Sequence, residues 1–158
     1  MQGGVTALVN TNLIGQSLAH CINTVEPKHV IVAAELLPQF AAIRPQLKCG
    51  AKIWVHGEGG KDPRIDLIVD ALSGEPLAAA DRPALSIEDP ALYIYTSGTT
   101  GLPKAANINH YRVMLACFGF AGVMGTKKTD RNYVCLPMYH TAGGLCAIGS
   151  LLVAGGSV

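Results

Sequence analysis

The stretch Tyr93-Ile94-Tyr95-Thr96-Ser97-Gly98-Thr99-Thr100-Gly101-Leu102-Pro103-Lys104 decides the reading of this chain. It opens as an apolar, aromatic run that reads as a strand and stops abruptly. A turn rich in hydroxyls and glycine follows, and one lysine closes it. Thr96, Ser97, Thr99 and Thr100 stand with Gly98, Gly101 and Lys104 inside nine residues. Glycine lets backbone N–H groups approach an anion closely, hydroxyls donate without adding charge, and lysine supplies a point charge. Such a turn suits a polyphosphate. It is not a Walker A loop, which needs four residues between its glycines and then Gly-Lys-Ser/Thr. Here two residues separate Gly98 from Gly101, and Leu102-Pro103 precedes Lys104.

The charge around the loop is uneven. Residues 1–89 hold ten acids and seven Lys/Arg, a net of −3. Residues 90–158 hold five basic residues and one acid, Asp130, a net of +4. No carboxylate occurs from Pro90 through Thr129. An acid-free neighbourhood favours a polyanionic ligand, although buried segments avoid acids for their own reasons.

Working outward, apolar runs alternate with helical patterns. Val5–Val9, Lys28–Ala33 and Lys52–His56 read as strands. Ser17–Asn23 and Leu36–Leu47 read as helices, with Pro38 early enough to sit in a first turn. Arg64–Leu72 fits a short helix with Ile65, Ile68, Val69 and Leu72 on one face. Residues 73–90, with three prolines, read as a long surface connection rather than a domain linker. Leu92–Tyr95, Ala105–Asn109 and Tyr133–Pro137 read as further strands, and Tyr111–Met124 and Ala142–Val153 as helices. The pattern predicts an α/β fold, a mostly parallel sheet built from βαβ units.

The loop resembles the phosphate-loop signature of the adenylate-forming superfamily, which includes acyl-CoA synthetases, peptide-synthetase adenylation domains and luciferases. A second stretch agrees: Leu136-Pro137-Met138-Tyr139-His140-Thr141-Ala142-Gly143-Gly144 is similar to that family's next motif. The resemblance implies that Thr96, Ser97, Gly98, Thr99, Thr100, Gly101 and Lys104 close on the phosphates of ATP. It implies that His140 lies beside the carboxylate being activated. His20, His29, His56 and His110 have no such context and default to structural or exposed roles. Gly4-Val5-Thr6-Ala7-Leu8-Val9-Asn10-Thr11-Asn12-Leu13, and Ala105-Ala106 after the loop, resemble the fatty-acid-transport-protein and very-long-chain acyl-CoA synthetase branch.

The implied parent reaction converts fatty acid, ATP and CoA into acyl-CoA, AMP and pyrophosphate, with Mg2+ assisting. Complete family members have a large N-terminal domain and a small mobile C-terminal one. Residues 1–158 match a central piece of the large domain, a partial AMP-binding domain. The family's metal carboxylate and ribose-binding acid lie downstream of this segment, so no metal ligand is assigned, and the isolated chain is expected to be inactive. Two alternatives remain open: an adenylation domain of another carboxylate-activating ligase, and a non-catalytic lipid-binding or interaction protein.

Composition fits a fragment. Apolar residues make up 49% and charged residues 15%, where about 25% charged is usual. The expectation is a large exposed apolar surface that the rest of the parent chain covers, or membrane contact. Apolar stretches fall short of the ~20 residues that span a bilayer, and Met1-Gln2-Gly3-Gly4 lacks the pattern of a signal peptide. The five cysteines have no metal-like spacing and read as free thiols in a reducing compartment. A cytoplasmic location is expected, with peripheral membrane association left open and no nucleic-acid partner.

Overall fold

The computed structural model describes residues 3–96 and 101–158. The chain divides into two compact units. One comprises residues 9–81 and 97–104; the other comprises residues 1–8, 82–96 and 105–158. The division near residue 81 falls inside the stretch read from sequence as a surface connection, so that stretch also joins the two units.

The first unit holds α1 (Gly15–Val25), β2 (His29–Ala33), α2 (Leu37–Ile43), β3 (Lys52–His56) and α3 (Ile65–Asp70); β1, named with the other unit, precedes them in the chain. Strands β2 and β3 pair in parallel, with His29 opposite Lys52 and Ala33 opposite His56. A parallel pair needs a crossover, and α2 supplies it. Ala19, Ile22, Val32, Phe40, Ile43 and Ile53 form the core between helices and strands. Glu26 takes a left-handed conformation (φ 44°) after α1, and Pro27 prevents the helix from continuing.

Sequence reading made α2 too long. The α-helix stops at Ile43, and Arg44–Gln46 continues as a 3-10 turn. Pro45 explains this, because it has no N–H to give to the carbonyl four residues back and its ring clashes there. Pro38 sits in the first turn, as expected. The apolar face expected on α3 is not covered: Ile68, Val69 and Leu72 are exposed.

The second unit holds β1 (Thr6–Ala7), β4 (Pro90–Thr96), most of β5 (Lys104–Asn109), α4 (His110–Met124) and α5 (Gly149–Ala154). The sheet order is β1-β4-β5. Thr6 and Ala7 pair in parallel with Leu92 and Tyr93. β5 folds back beside β4: His110 N donates to Asp89 O (3.1 Å) and Tyr111 N to Ile87 O (2.8 Å). The fold is therefore α/β as expected, with β1–β4 and β2–β3 paired in parallel and with two small sheets among the described residues.

Helix α4 has clear ends. The Asn109 side chain accepts from Arg112 N (2.9 Å), and Gly125 turns left-handed at the other end. Cys117 of α4 faces Gly149, where even a Cβ would stand 2.4 Å from its sulfur. One side of α4 is uncovered: Met114, Leu115, Phe118 and Val123 are exposed, and Val123 is 86% exposed. These exposed apolar side chains are in keeping with the chain's apolar composition.

The strand expected at Tyr133–Pro137 does not form. A strand needs a neighbour, and only Arg131 finds one, in a single parallel bridge to Ser157. Tyr133 is 89% exposed. The helix expected at Ala142–Val153 is a π-helical stretch, Ala142–Ile148, followed by α5.

Candidate functional site

The hydroxyl- and glycine-rich stretch begins where β4 ends. Thr96 is the last residue of β4 and is exposed. Ser97, Gly98, Thr99 and Thr100 lie outside the described residues. Gly101 is exposed and has φ 90°, a conformation costly for any residue with a Cβ. Leu102 and Pro103 are half-buried. Lys104 opens β5 with its side chain exposed. Thr96, Gly101 and Lys104, at the described ends of this stretch, are therefore open to solvent.

One contact on this turn was not foreseen. The Nε2 of His20, on α1, lies 3.0 Å from the carbonyl oxygen of Pro103. A carbonyl only accepts, so Nε2 carries the hydrogen. Thr24, one helical turn on, donates its hydroxyl to His20 O at 2.7 Å, and its oxygen stands 3.4 Å from the same Nε2. Sequence offered no signal for this pairing, because 83 residues separate the partners.

His140 belongs to the other unit and is exposed. Its backbone is held in a tight turn: His140 N donates to Pro137 O (3.1 Å), and Gly144 N donates to His140 O (2.9 Å). Its Nδ1 accepts the amide of Ala142 at 3.2 Å. In the neutral ring the hydrogen therefore sits on Nε2, which can donate to an anionic oxygen. Both glycines of the motif are needed by close approach. A Cβ on Gly143 would stand 2.4 Å from Pro137 O, and one on Gly144 would stand 2.5 Å from Met138 O. The turn folds directly against the start of the π-helical stretch, a form often found at functional sites.

Other candidates carry less. Among the described residues no group of three His, Cys, Asp or Glu could hold a metal ion. Asp130, the single acid after Pro90, accepts from Lys127 N at 2.9 Å and so closes a local turn. None of the five cysteines is in a disulfide; Cys21 and Cys117 are buried, whereas Cys135 is exposed. Burial pushes the Cys21 thiol above its ordinary range, which makes it a poor nucleophile. A groove along α4, lined by Arg112, Leu115, Ala116, Gly119, Phe120 and Val123, is apolar.

The α/β scaffold carries a hydroxyl- and glycine-rich stretch after the end of β4, and its family is identified by likeness to known proteins. The family model "AMP-binding enzyme" matches residues 1–158, and the chain belongs to that family. Over 159 aligned residues it is 39% identical to long-chain fatty acid transport protein 6 of Mus musculus, covering 97% of this chain and 25% of that protein. The chain thus spans about a quarter of such a relative's length. The crystal structure of ATP-bound MatB from Rhodopseudomonas palustris superposes with a TM-score of 0.72 at 32% identity. That match covers 98% of this chain and 29% of MatB. The anthranilate CoA ligase AuaEII, in complex with anthranoyl-AMP, superposes with a TM-score of 0.83 at 24% identity, over 97% of this chain and 29% of that one. The last match speaks for the fold alone. No helix among the described residues is long and apolar enough to cross a membrane.

Proposed function

We propose that this chain is a central part of the large nucleotide-binding domain of a long-chain fatty acid–CoA ligase. The observation that carries the reading is the Thr96–Lys104 turn at the end of β4, with Lys104 exposed at the start of β5. The likeness to a fatty acid transport protein points to a long-chain fatty acid as the carboxylate. The likeness to a structure holding ATP supports that nucleotide as co-substrate.

In this reading a carboxylate oxygen attacks the α-phosphorus of ATP in line, and pyrophosphate leaves. Negative charge grows on the departing group, so a preorganised cation beside it lowers the barrier. Lys104 is assigned that role, with Thr96, Ser97, Gly98, Thr99, Thr100 and Gly101 as phosphate-binding residues. His140 is assigned to the fatty-acid carboxylate, as a donor through Nε2–H. A general base is not required there, because a carboxylate is already ionised at neutral pH. CoA then takes the acyl group through its thiol, which releases AMP. Among the described residues no three His, Cys, Asp or Glu side chains gather as ligands for the family's magnesium. Peripheral contact of a cytoplasmic enzyme with a membrane surface would deliver the fatty acid.

The test is ATP–pyrophosphate exchange by the full-length ligase with palmitate, an aryl acid and an amino acid supplied in turn. Exchange that depends on palmitate is the expected result. Exchange with only the amino acid or the aryl acid would reassign the carboxylate. No exchange with any of them would favour a non-catalytic lipid-binding role.

A further inference from the structure

We infer that His20 is a positioning residue for the phosphate turn, holding its exit arm so that Lys104 meets the nucleotide's phosphates in a fixed place. This rests on the phosphate role proposed for that turn. The contact is direct: His20 Nε2 lies 3.0 Å from Pro103 O. That oxygen belongs to the peptide joining Pro103 to Lys104. The peptide is planar, so fixing its oxygen also fixes the Lys104 amide and Cα. Proline adds a locked φ on the other side of the carbonyl. A single hydrogen bond therefore constrains the backbone from which the Lys104 side chain departs.

The clamp has a firm base. His20 stands between Ala19 and Cys21, both buried, and Ile22 of the same helix belongs to the core. Asn23 ties the helix to a different stretch of chain, donating to Gln46 O (3.0 Å) and accepting from Lys48 N (2.8 Å). Thr24 receives part of the Nε2–H and steers the ring, at 3.4 Å. The polar side of α1 thus has two attachments, one to the scaffold and one to the turn. All these residues, with Pro103 and Lys104, lie in the same compact unit. The His20 bond adds a restraint just before β5 begins, and a misplacement of ~1 Å in a catalytic group can cost about a hundredfold in rate.

The experiment compares four variants of the full-length ligase by ATP–pyrophosphate exchange: His20→Ala, His20→Gln, His20→Asn, and His20→Ala combined with Lys104→Ala. Glutamine carries its N–H donor at the reach of Nε2; asparagine carries it at the reach of Nδ1. The expected result is a fall of about tenfold or more in kcat for His20→Ala and His20→Asn. The KM for fatty acid stays unchanged, and His20→Gln recovers most of the rate. In the Lys104→Ala background, His20→Ala adds little, because the residue it positions is gone. Should His20→Ala fail to fold, the contrast between glutamine and asparagine still decides. Exchange within about twofold of wild type for His20→Ala, equal behaviour of Gln and Asn, or fully additive losses would each overturn the inference. A crippled Lys104→Ala beside a silent His20→Ala overturns this inference alone. A silent Lys104→Ala overturns the phosphate-turn reading beneath it.

Discussion

Gly143→Ala tests how the His140 turn is built. The new Cβ would stand 2.4 Å from Pro137 O and 2.8 Å from Leu136 O, both backbone atoms. Ordinary contact begins near 3.4 Å, so the Pro137 carbonyl must retreat by about 1 Å. That carbonyl accepts the amide of His140 at 3.1 Å, so the displacement passes to the histidine. Backbone cannot rotate aside as a flexible side chain can. Overpacking of this kind costs about 1–3 kcal/mol, and each kcal/mol lowers Tm by roughly 2–4 °C in a protein of this size. Gly119→Ala is the control, since nothing lies within 4 Å of the Cβ it would add. There alanine should be neutral or stabilise the helix by up to about 1 kcal/mol. Thermal unfolding and hydrogen exchange at the His140 amide provide the readouts. Gly143→Ala should lower Tm and speed that amide's exchange, while Gly119→Ala does neither. Wild-type Tm with unchanged His140 protection in Gly143→Ala would refute the reasoning.

Ile43→Ala should cost about 2–5 kcal/mol, because Ile43 is wholly buried among Ala19, Ile22, Phe40 and Ile53; a loss below about 1 kcal/mol in chemical denaturation would contradict that packing. Arg44 donates to both oxygens of Asp62 (2.7 and 2.8 Å), and this hydrogen bonding, aided by charge attraction, lowers the Asp62 pKa. The pair's contribution is therefore complete above the unfolded carboxylate value of about 3.9 and is lost as pH falls through the folded one. Arg44 is half exposed, so the gap between wild type and Arg44→Met should be under about 1 kcal/mol at pH 7 and should close in acid. A gap that widens towards acid pH would contradict the sign.

Strands and turns with strong local signals were legible in the sequence. Lys52–His56 is a strand as read, and the helix read at Tyr111–Met124 is α4, His110–Met124. What failed was decided by neighbours or by single prolines. Tyr133–Pro137 has the composition of a strand, but strand identity needs a partner along its length. Pro45 shortened α2, although its position was in plain view. Lys104 and His140 could be singled out as candidates because their motifs are local in sequence. His20 could not, because its contact is with an oxygen 83 residues away. The two motif glycines read as loop composition, whereas the structure gives them a steric duty beside Pro137 and Met138.

The most direct test of the central claim is fatty-acid-dependent ATP–pyrophosphate exchange by Lys104→Ala in the full-length ligase, set beside His140→Ala across a series of chain lengths. Loss of a preorganised cation should cost roughly 2–4 kcal/mol, a fall of about thirtyfold to several hundredfold in exchange rate, with fatty-acid KM little changed. His140→Ala should instead shift KM and chain-length preference as well as rate. Exchange within about twofold of wild type for Lys104→Ala, under 0.5 kcal/mol, would contradict the account.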